Sequence, residues 1–278
     1  MAVTSHTDAL DRVVQASLAE DVGGGDVTTE ATVDARATGV AVLVTRATGV
    51  VAGLDAAEAV FRALDPEVEF ERLVEDGDVL PGPVPIARVS GSLRAILTGE
   101  RTALNLLGRL SGIATATRRY VDAVDGTGVA ILDTRKTTPG LRALEKQAVA
   151  AGGGRNHRFG LDDGVLVKDN HLAATGSIRD AVERLRAATD LPVEVECDTL
   201  EQLEEALAAG ADAVLLDNMS LDELRRAVAL TEGRARLEAS GGVTLETVRA
   251  IAETGVDEIS IGALTHSAPA LDVSLELT

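Results

Sequence analysis

The feature that most constrains the fold is a regular alternation of short apolar runs with amphipathic stretches, which starts near Val129. The apolar runs occupy residues 129–134, 165–168, 193–197, 212–217, 236–240 and 257–262. Runs that are apolar almost throughout are typical of strands covered on both faces, and the amphipathic stretches between them are typical of helices. A succession of such βα units predicts an α/β fold built on a parallel sheet.

The spacing of the units favours one architecture of this class. The last four runs end at Glu196, Asp217, Ser240 and Gly262, at close and nearly even intervals. Compact units of this kind fit a closed or nearly closed α/β barrel better than an open, doubly wound sheet, which remains the alternative. The glycine-rich signatures of the Rossmann and P-loop nucleotide sites are both missing.

The first 92 residues have a different pattern. A helical stretch over 7–20 is followed by β-like runs over 40–45, 68–73 and 86–89. This pattern predicts a smaller α+β domain. A long helical stretch over 93–124, with a possible break near Gly112, follows it. We place the domains at 1–110 and 111–278, and residues 268–278 could pack back on the first domain. After Gly25 we expect a strand.

Composition excludes several classes of function. The chain carries 45 acidic and 26 basic residues, a net charge of −19, which argues against binding to nucleic acid or to anionic membranes. No run approaches the roughly 20 apolar residues of a membrane span, and no secretory leader is evident, so we predict a cytoplasmic protein. Cys197 is the single cysteine, which rules out an internal disulfide.

Lysine occurs only at positions 136, 146 and 168, and its scarcity together with the acidic net charge favours adaptation to high salt.

Three kinds of residue stand at the ends of the apolar runs. In an α/β barrel these ends converge on one mouth, where catalytic groups lie. Arginine pairs well with carboxylates and lysine with pyrophosphate, acidic side chains can hold Mg²⁺ directly or through water, and glycine-bearing turns can bind phosphate on backbone N–H groups. The cationic residues at these ends are Arg135, Lys136 and Lys168, the acidic ones Glu196 and Asp217, and the small ones Ser240, Gly241, Gly242 and Gly262. Arg158, in the stretch 155–158 between two runs, is a further candidate for pairing with a carboxylate. The set predicts a site for a phosphorylated sugar with a metal-bound pyrophosphate, facing an anionic acceptor.

Each of these residues also has a purely structural interpretation. Glu196 could be a solvated strand end, and Asp217 could cap the following helix. Residues 135–139 could form an exposed loop. Lys146 is interpreted as a charge on a helix surface, and Cys197 as a core residue on the strand face opposite Glu196.

The ordered set of motifs resembles one known family. The matching stretches are GERTALNLLGRLSGIAT (99–115), DTRKTTPGLRALEKQAVAAGGGRNHRFGL (133–161), VLVKDNH (165–171), VEVE (193–196), VLLDN (214–218), LEASGGV (237–243) and ISIGALTH (259–266). In this order they resemble the quinolinate phosphoribosyltransferase family, also called nicotinate-nucleotide pyrophosphorylase (carboxylating). EDVGGGDVTTE (20–30) fits as well, so the resemblance covers nearly the whole chain.

The resemblance implies a reaction and a fold. The reaction transfers phosphoribosyl from phosphoribosyl pyrophosphate to quinolinate, gives nicotinate mononucleotide, pyrophosphate and CO₂, and serves NAD biosynthesis. The fold is an open, seven-stranded α/β barrel with a smaller N-terminal sandwich domain. It also implies Mg²⁺ as cofactor and a homodimer or homohexamer in which Arg101 enters the neighbouring active site.

The resemblance assigns roles residue by residue. The expected quinolinate-binding set is Arg101, Arg135, His157 and Arg158, with Thr134 and Lys136 beside them. The set expected to face the ribose, the pyrophosphate and the metal, and to be catalytic, is Lys168, Glu196 and Asp217. The expected 5′-phosphate cradle is Ser240, Gly241, Gly242 and Gly262.

Three other functions remain open at this stage. A sister phosphoribosyltransferase of the same fold would act on nicotinate or another acid, although three arginines favour a dicarboxylate. A lyase could use Lys168 as a Schiff-base nucleophile. A phosphate sensor without catalytic activity is the third, and the presence of Lys168, Glu196 and Asp217 argues against it.

Overall fold

A computed structural model describes residues 6–278, and within them the chain forms twelve strands and eleven helices. The strands are β1 (Thr38–Thr45), β2 (Gly49–Val50), β3 (Glu69–Arg72), β4 (Val79–Leu80), β5 (Pro85–Ser92), β6 (Ala130–Leu132), β7 (Val165–Val167), β8 (Val193–Cys197), β9 (Ala213–Asp217), β10 (Arg236–Ser240), β11 (Glu258–Ser260) and β12 (Val273–Leu277). The helices are α1 (His6–Val22), α2 (Val27–Thr32), α3 (Leu54–Leu64), α4 (Leu93–Ala123), α5 (Arg142–Ala151), α6 (Asp169–Thr175), α7 (Ile178–Ala188), α8 (Leu200–Ala208), α9 (Leu221–Thr231), α10 (Val248–Ala252) and α11 (Ala263–His266). Among these residues no helix combines the length and the apolar content that crossing a membrane requires.

The chain divides into two compact units. The first contains the described residues up to Arg118 together with Thr137–Gly153 and Leu264–Thr278. The second contains Arg119–Lys136 and Gly154–Ala263. The first unit therefore draws on three separate segments of the chain. The sequence analysis placed a boundary after residue 110, with residues 268–278 packing back on the first domain.

The first unit is organised around an antiparallel sheet of four strands in the order β12-β1-β5-β3. Ala41, Leu43 and Thr45 are buried in β1 while the residues between them are partly exposed, the period of two expected when one face of a strand meets the core. Leu43 pairs with Leu275 of β12 on one side and with Ala87 of β5 on the other. The C-terminal segment is thus an edge strand of the N-terminal sheet.

Two local features of the first unit differ from the sequence predictions. Helix α4 continues through Gly112 without a break. This glycine allows close packing instead, since a Cβ at position 112 would lie 2.1 Å from the carbonyl oxygen of Pro269. The segment after Gly25 is helix α2 rather than a strand. Asp26 explains this, since its carboxylate accepts the N–H of Thr29 at 2.9 Å and caps the helix.

The second unit contains a parallel sheet of six strands in the order β6-β11-β10-β9-β8-β7. All six apolar runs identified in the sequence form strands, so the predicted α/β fold is confirmed. The seventh strand implied by the family resemblance is not formed in the described residues. Strand β6 lies at the edge of this sheet. On its free side, Leu132 of β6 pairs with Arg155 in one isolated parallel bridge, so a single residue pair stands in the place of a seventh strand.

One residue shows that this sheet is strongly curved. The backbone N–H of His157 donates to Asp133, directly after β6, at 2.9 Å, and its ring Nε2 lies 3.1 Å from Glu194 of β8. Strands β6 and β8 are four positions apart, which in a flat sheet would separate them by roughly 19 Å. The side chains of Asp133, His157 and Glu194 make this link together, which indicates that the sheet curls around His157. The carboxyl ends of its strands are brought toward one another.

Candidate active site

The carboxyl ends of the parallel strands surround a cavity of about 420 Å³. Nine of the thirteen site residues proposed from the sequence line it, and they come from five strand ends and the loop after Arg155. They are Thr134, Arg135, Lys136, His157, Arg158, Lys168, Glu196, Asp217 and Ser240. Leu166, Leu215, Glu238 and Ser260 complete the lining. Segments separated by more than 100 residues in sequence therefore meet around one space.

The other four proposed residues are not among those that line the cavity. Gly241 and Gly242 form the turn after β10 with φ of 93° and 60°, and a Cβ at Gly241 would lie 2.1 Å from the side-chain oxygen of Asn218. Only glycine fits this position. Gly262 follows β11 by two residues. Arg101 belongs to the first unit, where it is exposed on α4.

Two guanidinium groups dominate the positive side of the cavity. Arg158 is held by a hydrogen bond from Nη1 to the carbonyl oxygen of Gly164 at 3.2 Å. Burial, followed by the positive charge of Arg135, lowers the pKa of Arg158 below its ordinary value. The two cations therefore repel each other in a partly desolvated space. A bound dianion would relieve this repulsion, and paired guanidinium donors match carboxylate geometry.

Lys168 and Glu196 form an ion pair on the adjoining wall. Lys168 Nζ donates to Glu196 Oε2 at 2.6 Å, and the backbone N–H of Lys168 donates to Nδ1 of His171 at 3.0 Å. His171 thus supports the loop, as the sequence suggested. Among residues 6–278, Glu196 Oε1 has no protein partner, so one oxygen of this carboxylate is available to a ligand.

Asp217 occupies the end of β9 with a similar division of its oxygens. Asn218 Nδ2 donates to Asp217 Oδ2 at 2.6 Å, and Asn218 adopts the left-handed conformation with φ of 55°. In the part of the chain that the structure covers, Asp217 Oδ1 has no protein partner. The cap of α9 is Ser220, whose hydroxyl accepts the N–H of Glu223, so Asp217 is not used for capping. Asp217 and Glu196 therefore fit a site for Mg²⁺, bound directly or through water.

The sequence analysis missed two residues that belong to this site. Glu194 and Glu238 lie inside β8 and β10 and are only 5% and 1% exposed. Their Oε2 atoms lie 3.1 Å and 3.2 Å from Nε2 of His157. The available signal was the presence of a charged residue in the interior of an otherwise apolar strand, since carboxylates are almost never buried without a partner.

This cluster of His157, Glu194 and Glu238 binds its proton tightly. Burial alone would lower the pKa of His157, but the hydrogen bonds with the two glutamates outweigh it and raise this pKa to about 10. Burial raises the pKa of Glu238, although its hydrogen bond with His157 acts in the opposite direction. Strongly interacting groups titrate as one unit, so at neutral pH the cluster keeps an additional proton. Because Nδ1 accepts the N–H of Arg158, this proton lies between Nε2 and the two carboxylates and not on Nδ1.

Asp133 fixes the loop that carries His157 and Arg158. This aspartate is completely buried at the end of β6 and accepts two hydrogen bonds, from the backbone N–H of His157 at 2.9 Å and from Asn156 Nδ2 at 2.6 Å. Bonds from donors to a buried carboxylate are stronger than those between neutral groups. These two bonds therefore hold the loop in place at the end of β6.

Comparison with known proteins gives a consistent result. Residues 26–111 match the model of the quinolinate phosphoribosyl transferase N-terminal domain, and residues 113–276 match that of the C-terminal domain. The chain is 47% identical over 279 residues to the nicotinate-nucleotide pyrophosphorylase [carboxylating] of Mycobacterium leprae, covering 97% of this chain and 98% of the relative. It is 47% identical over 261 residues to the probable enzyme of the same name from Bacillus subtilis, covering 93% and 90%.

Solved structures agree with the sequence relatives. The nicotinate-nucleotide pyrophosphorylase of Francisella tularensis is 40% identical, with a TM-score of 0.92 and coverage of 98% of this chain and 96% of that one. The Ehrlichia chaffeensis protein of the same name is 40% identical, with a TM-score of 0.93 and complete coverage of both chains. The similarity therefore extends over both units.

Proposed function

The chain belongs to the quinolinate phosphoribosyltransferase family, and on this premise we propose that the cavity of its parallel sheet is the active site. It is a pentosyltransferase that transfers phosphoribosyl from phosphoribosyl pyrophosphate to quinolinate with decarboxylation. The products are nicotinate mononucleotide, pyrophosphate and CO₂, in the de novo route to NAD. The observation that carries the site assignment is the meeting of Arg135, Arg158, Lys168 and Glu196 around one cavity.

Arg135 and Arg158 hold the acceptor in this proposal. Quinolinate carries two neighbouring carboxylates, and two partly buried guanidinium groups can each form paired hydrogen bonds with them. Their mutual repulsion is relieved when the dianion binds, which favours a dicarboxylate over a monocarboxylate. Thr134, Lys136 and His157 line the same cavity.

The ribose donor lies along the wall formed by Lys168 and Glu196 in this proposal. Lys168 is oriented by Glu196 at 2.6 Å, so its ammonium group is fixed beside the ribose and pyrophosphate. Ser240 and the turn formed by Gly241 and Gly242 receive the 5′-phosphate on backbone N–H groups, together with Gly262. Bound Mg²⁺, held by Glu196 and Asp217 directly or through water, would supply positive charge to the pyrophosphate.

The reaction in this arrangement has two stages. The pyridine nitrogen attacks the anomeric carbon while the bond to pyrophosphate breaks, and Glu196 or Asp217 stabilises the positive charge that develops on the sugar. The bond from the ring to the carboxylate next to the nitrogen then breaks and releases CO₂, because the cationic nitrogen stabilises the electron pair left on carbon. A proton from water binds to this carbon and completes nicotinate mononucleotide. Catalysis rests mainly on positioning and on preorganised charge.

A direct assay tests this function. We expect the purified protein, given quinolinate, phosphoribosyl pyrophosphate and Mg²⁺, to release nicotinate mononucleotide and CO₂ in equal amounts, and to release neither when nicotinate replaces quinolinate. Product from nicotinate without CO₂ would instead indicate the sister activity. The Schiff-base alternative is disfavoured because Lys168 Nζ already donates to Glu196 Oε2 at 2.6 Å.

We also propose an assembly and a location for this enzyme. Arg101 and Asn105 are exposed on the same stripe of α4, while Gly108 and Gly112 of that stripe pack against residues 269–271 of the same unit. An exposed arginine on a rigid helix suits the arrangement implied by the family, a homodimer or homohexamer in which Arg101 enters the neighbouring active site. The cytoplasm is the compartment we propose.

A third proposal is that the enzyme is adapted to high salt, on the basis of its net charge of −19. We expect the melting temperature to rise as KCl is increased from low to molar concentration, since at 1 M the Debye length falls to about 3 Å and surface repulsion is screened. Differential scanning fluorimetry would measure the shift. NaCl at equal ionic strength should give the same rise, and a melting temperature that falls with salt would contradict the proposal.

A further inference from the structure

Two buried carboxylates lie beneath the acceptor side of the cavity without a role in the reaction described above. Glu194 and Glu238 are almost fully buried, and both direct one oxygen to Nε2 of His157. Within residues 6–278, the other oxygen of each, Oε1, is buried and has no hydrogen-bond partner. Burying carboxylates with unsatisfied oxygens is unfavourable. Their presence inside two central strands therefore indicates a function other than packing.

The ring of His157 is also held from its opposite side. The backbone N–H of Arg158 donates to Nδ1 at 2.7 Å, while the backbone N–H of His157 donates to Asp133 at 2.9 Å. Both ring nitrogens are thus engaged, one by the glutamates and one by the main chain of Arg158. Any rotation of the ring would break contacts at both ends, so the orientation of His157 and the position of Arg158 are coupled.

This hydrogen-bond pattern also distinguishes between two uses of the cluster. One histidine and two carboxylates can bind a divalent cation, but a metal on Nε2 requires the lone pair of that nitrogen and leaves the hydrogen on Nδ1. Here Nδ1 accepts the N–H of Arg158, so the hydrogen is assigned to Nε2. Nε2 then donates to the glutamates, and the cluster is a hydrogen-bonded support.

We propose that Glu194 and Glu238 are positioning residues for acceptor binding, which act by fixing the ring of His157 and, through it, the main chain at Arg158. The inference rests on the proposed function, since it takes the cavity to bind quinolinate through Arg158. Glu194 of β8 and Glu238 of β10 both accept from the N–H at Nε2, so the ring is attached to two strands. A single carboxylate would attach it to one strand only. Lys168 and Glu196, on the side of the cavity that binds the ribose donor, hold each other by their own ion pair and do not depend on His157.

The test uses Glu194→Gln and Glu238→Gln, which keep the side-chain volume and replace an accepting carboxylate by an amide. By analogy with the outer partners of metal-bound histidines, we expect each to raise Kd and KM for quinolinate about tenfold. KM for phosphoribosyl pyrophosphate should stay unchanged. In a His157→Phe background the same substitutions should have no further effect on quinolinate binding, as a double-mutant cycle requires for residues that act through His157. Equal losses for both substrates, or full additivity with His157→Phe, would overturn the proposal.

A second measurement does not depend on activity. The chain has four histidines, so ¹⁵N-histidine labelling gives a simple NMR spectrum. We expect the hydrogen of His157 on Nε2 in the unmodified enzyme, and a shift of this resonance but not of His171 in Glu238→Gln. A His157 resonance that does not respond would also overturn the proposal. Failure of the unmodified enzyme to use quinolinate would instead remove the proposed function, so the two failures are distinguishable.

Discussion

Replacing Arg158 by alanine is expected to weaken quinolinate binding by about 100-fold, because two charge-assisted hydrogen bonds at the lower end of their usual range contribute about 3 kcal/mol together. The affinity for phosphoribosyl pyrophosphate should change far less, since the donor lies against Lys168 and Glu196. Isothermal titration calorimetry with each ligand measures the two effects separately. Arg158→Lys keeps the charge and loses the planar fork, so an intermediate loss is expected.

The matched control for this experiment is Arg225→Ala. Arg225 is an exposed arginine of the same unit that pairs with Asp222 within α9 and does not line the cavity. Neither ligand should bind differently to this variant. Equal losses for quinolinate and the ribose donor in Arg158→Ala would count against the assignment of Arg158 to the acceptor.

Arg109→Met is expected to lower the free energy of unfolding by about 3–5 kcal/mol, the usual cost of removing one partner of a buried ion pair. Arg109 Nη2 lies 2.8 Å from Oε1 of Glu145, which is completely buried on α5. The same guanidinium donates to the carbonyl oxygens of Thr265 and Ala268. Without Arg109, the buried carboxylate keeps, among residues 6–278, only the N–H of Thr138 as a partner.

Urea unfolding followed by circular dichroism would measure this loss. Arg46→Met is the matched control, because Arg46 and Glu276 form an ion pair of the same unit with both side chains about half exposed. Exposed pairs contribute about 0–1 kcal/mol, so the control should unfold close to the unmodified protein. Similar losses in the two variants would show that burial of the pair is not what stabilises the first unit.

The strands of the parallel sheet could be predicted from sequence because their signal is local. A run that is apolar on both faces, such as 213–216, reports its own environment. Glu196, Asp217 and Ser240 could be placed together for a related reason, since the carboxyl ends of successive parallel strands converge whatever the intervening sequence. The cavity that these residues line is therefore a consequence of topology.

Other features depend on contacts that no local pattern reports. Lys146 was interpreted as a surface charge, but it is only 3% exposed on α5. Its neighbour Glu145 is also buried. The roles of Glu194 and Glu238 depend on His157, which reaches them only because the sheet curls. Gly112 suggested a helix break, and its true use depends on the approach of Pro269 from the far end of the sequence.

The pairing of β1 with β12 has a consequence for the order of events during synthesis. Leu43 meets Leu275, a partner that leaves the ribosome more than 200 residues later, whereas its other partner, Ala87, follows soon after it. Closing so long a loop is slow, and until then one edge of β1 is open to pairing with other chains. The six parallel strands, all synthesised before β12, can form first. The N-terminal sheet is therefore begun early and completed last, and a nascent chain is most exposed to aggregation in that interval.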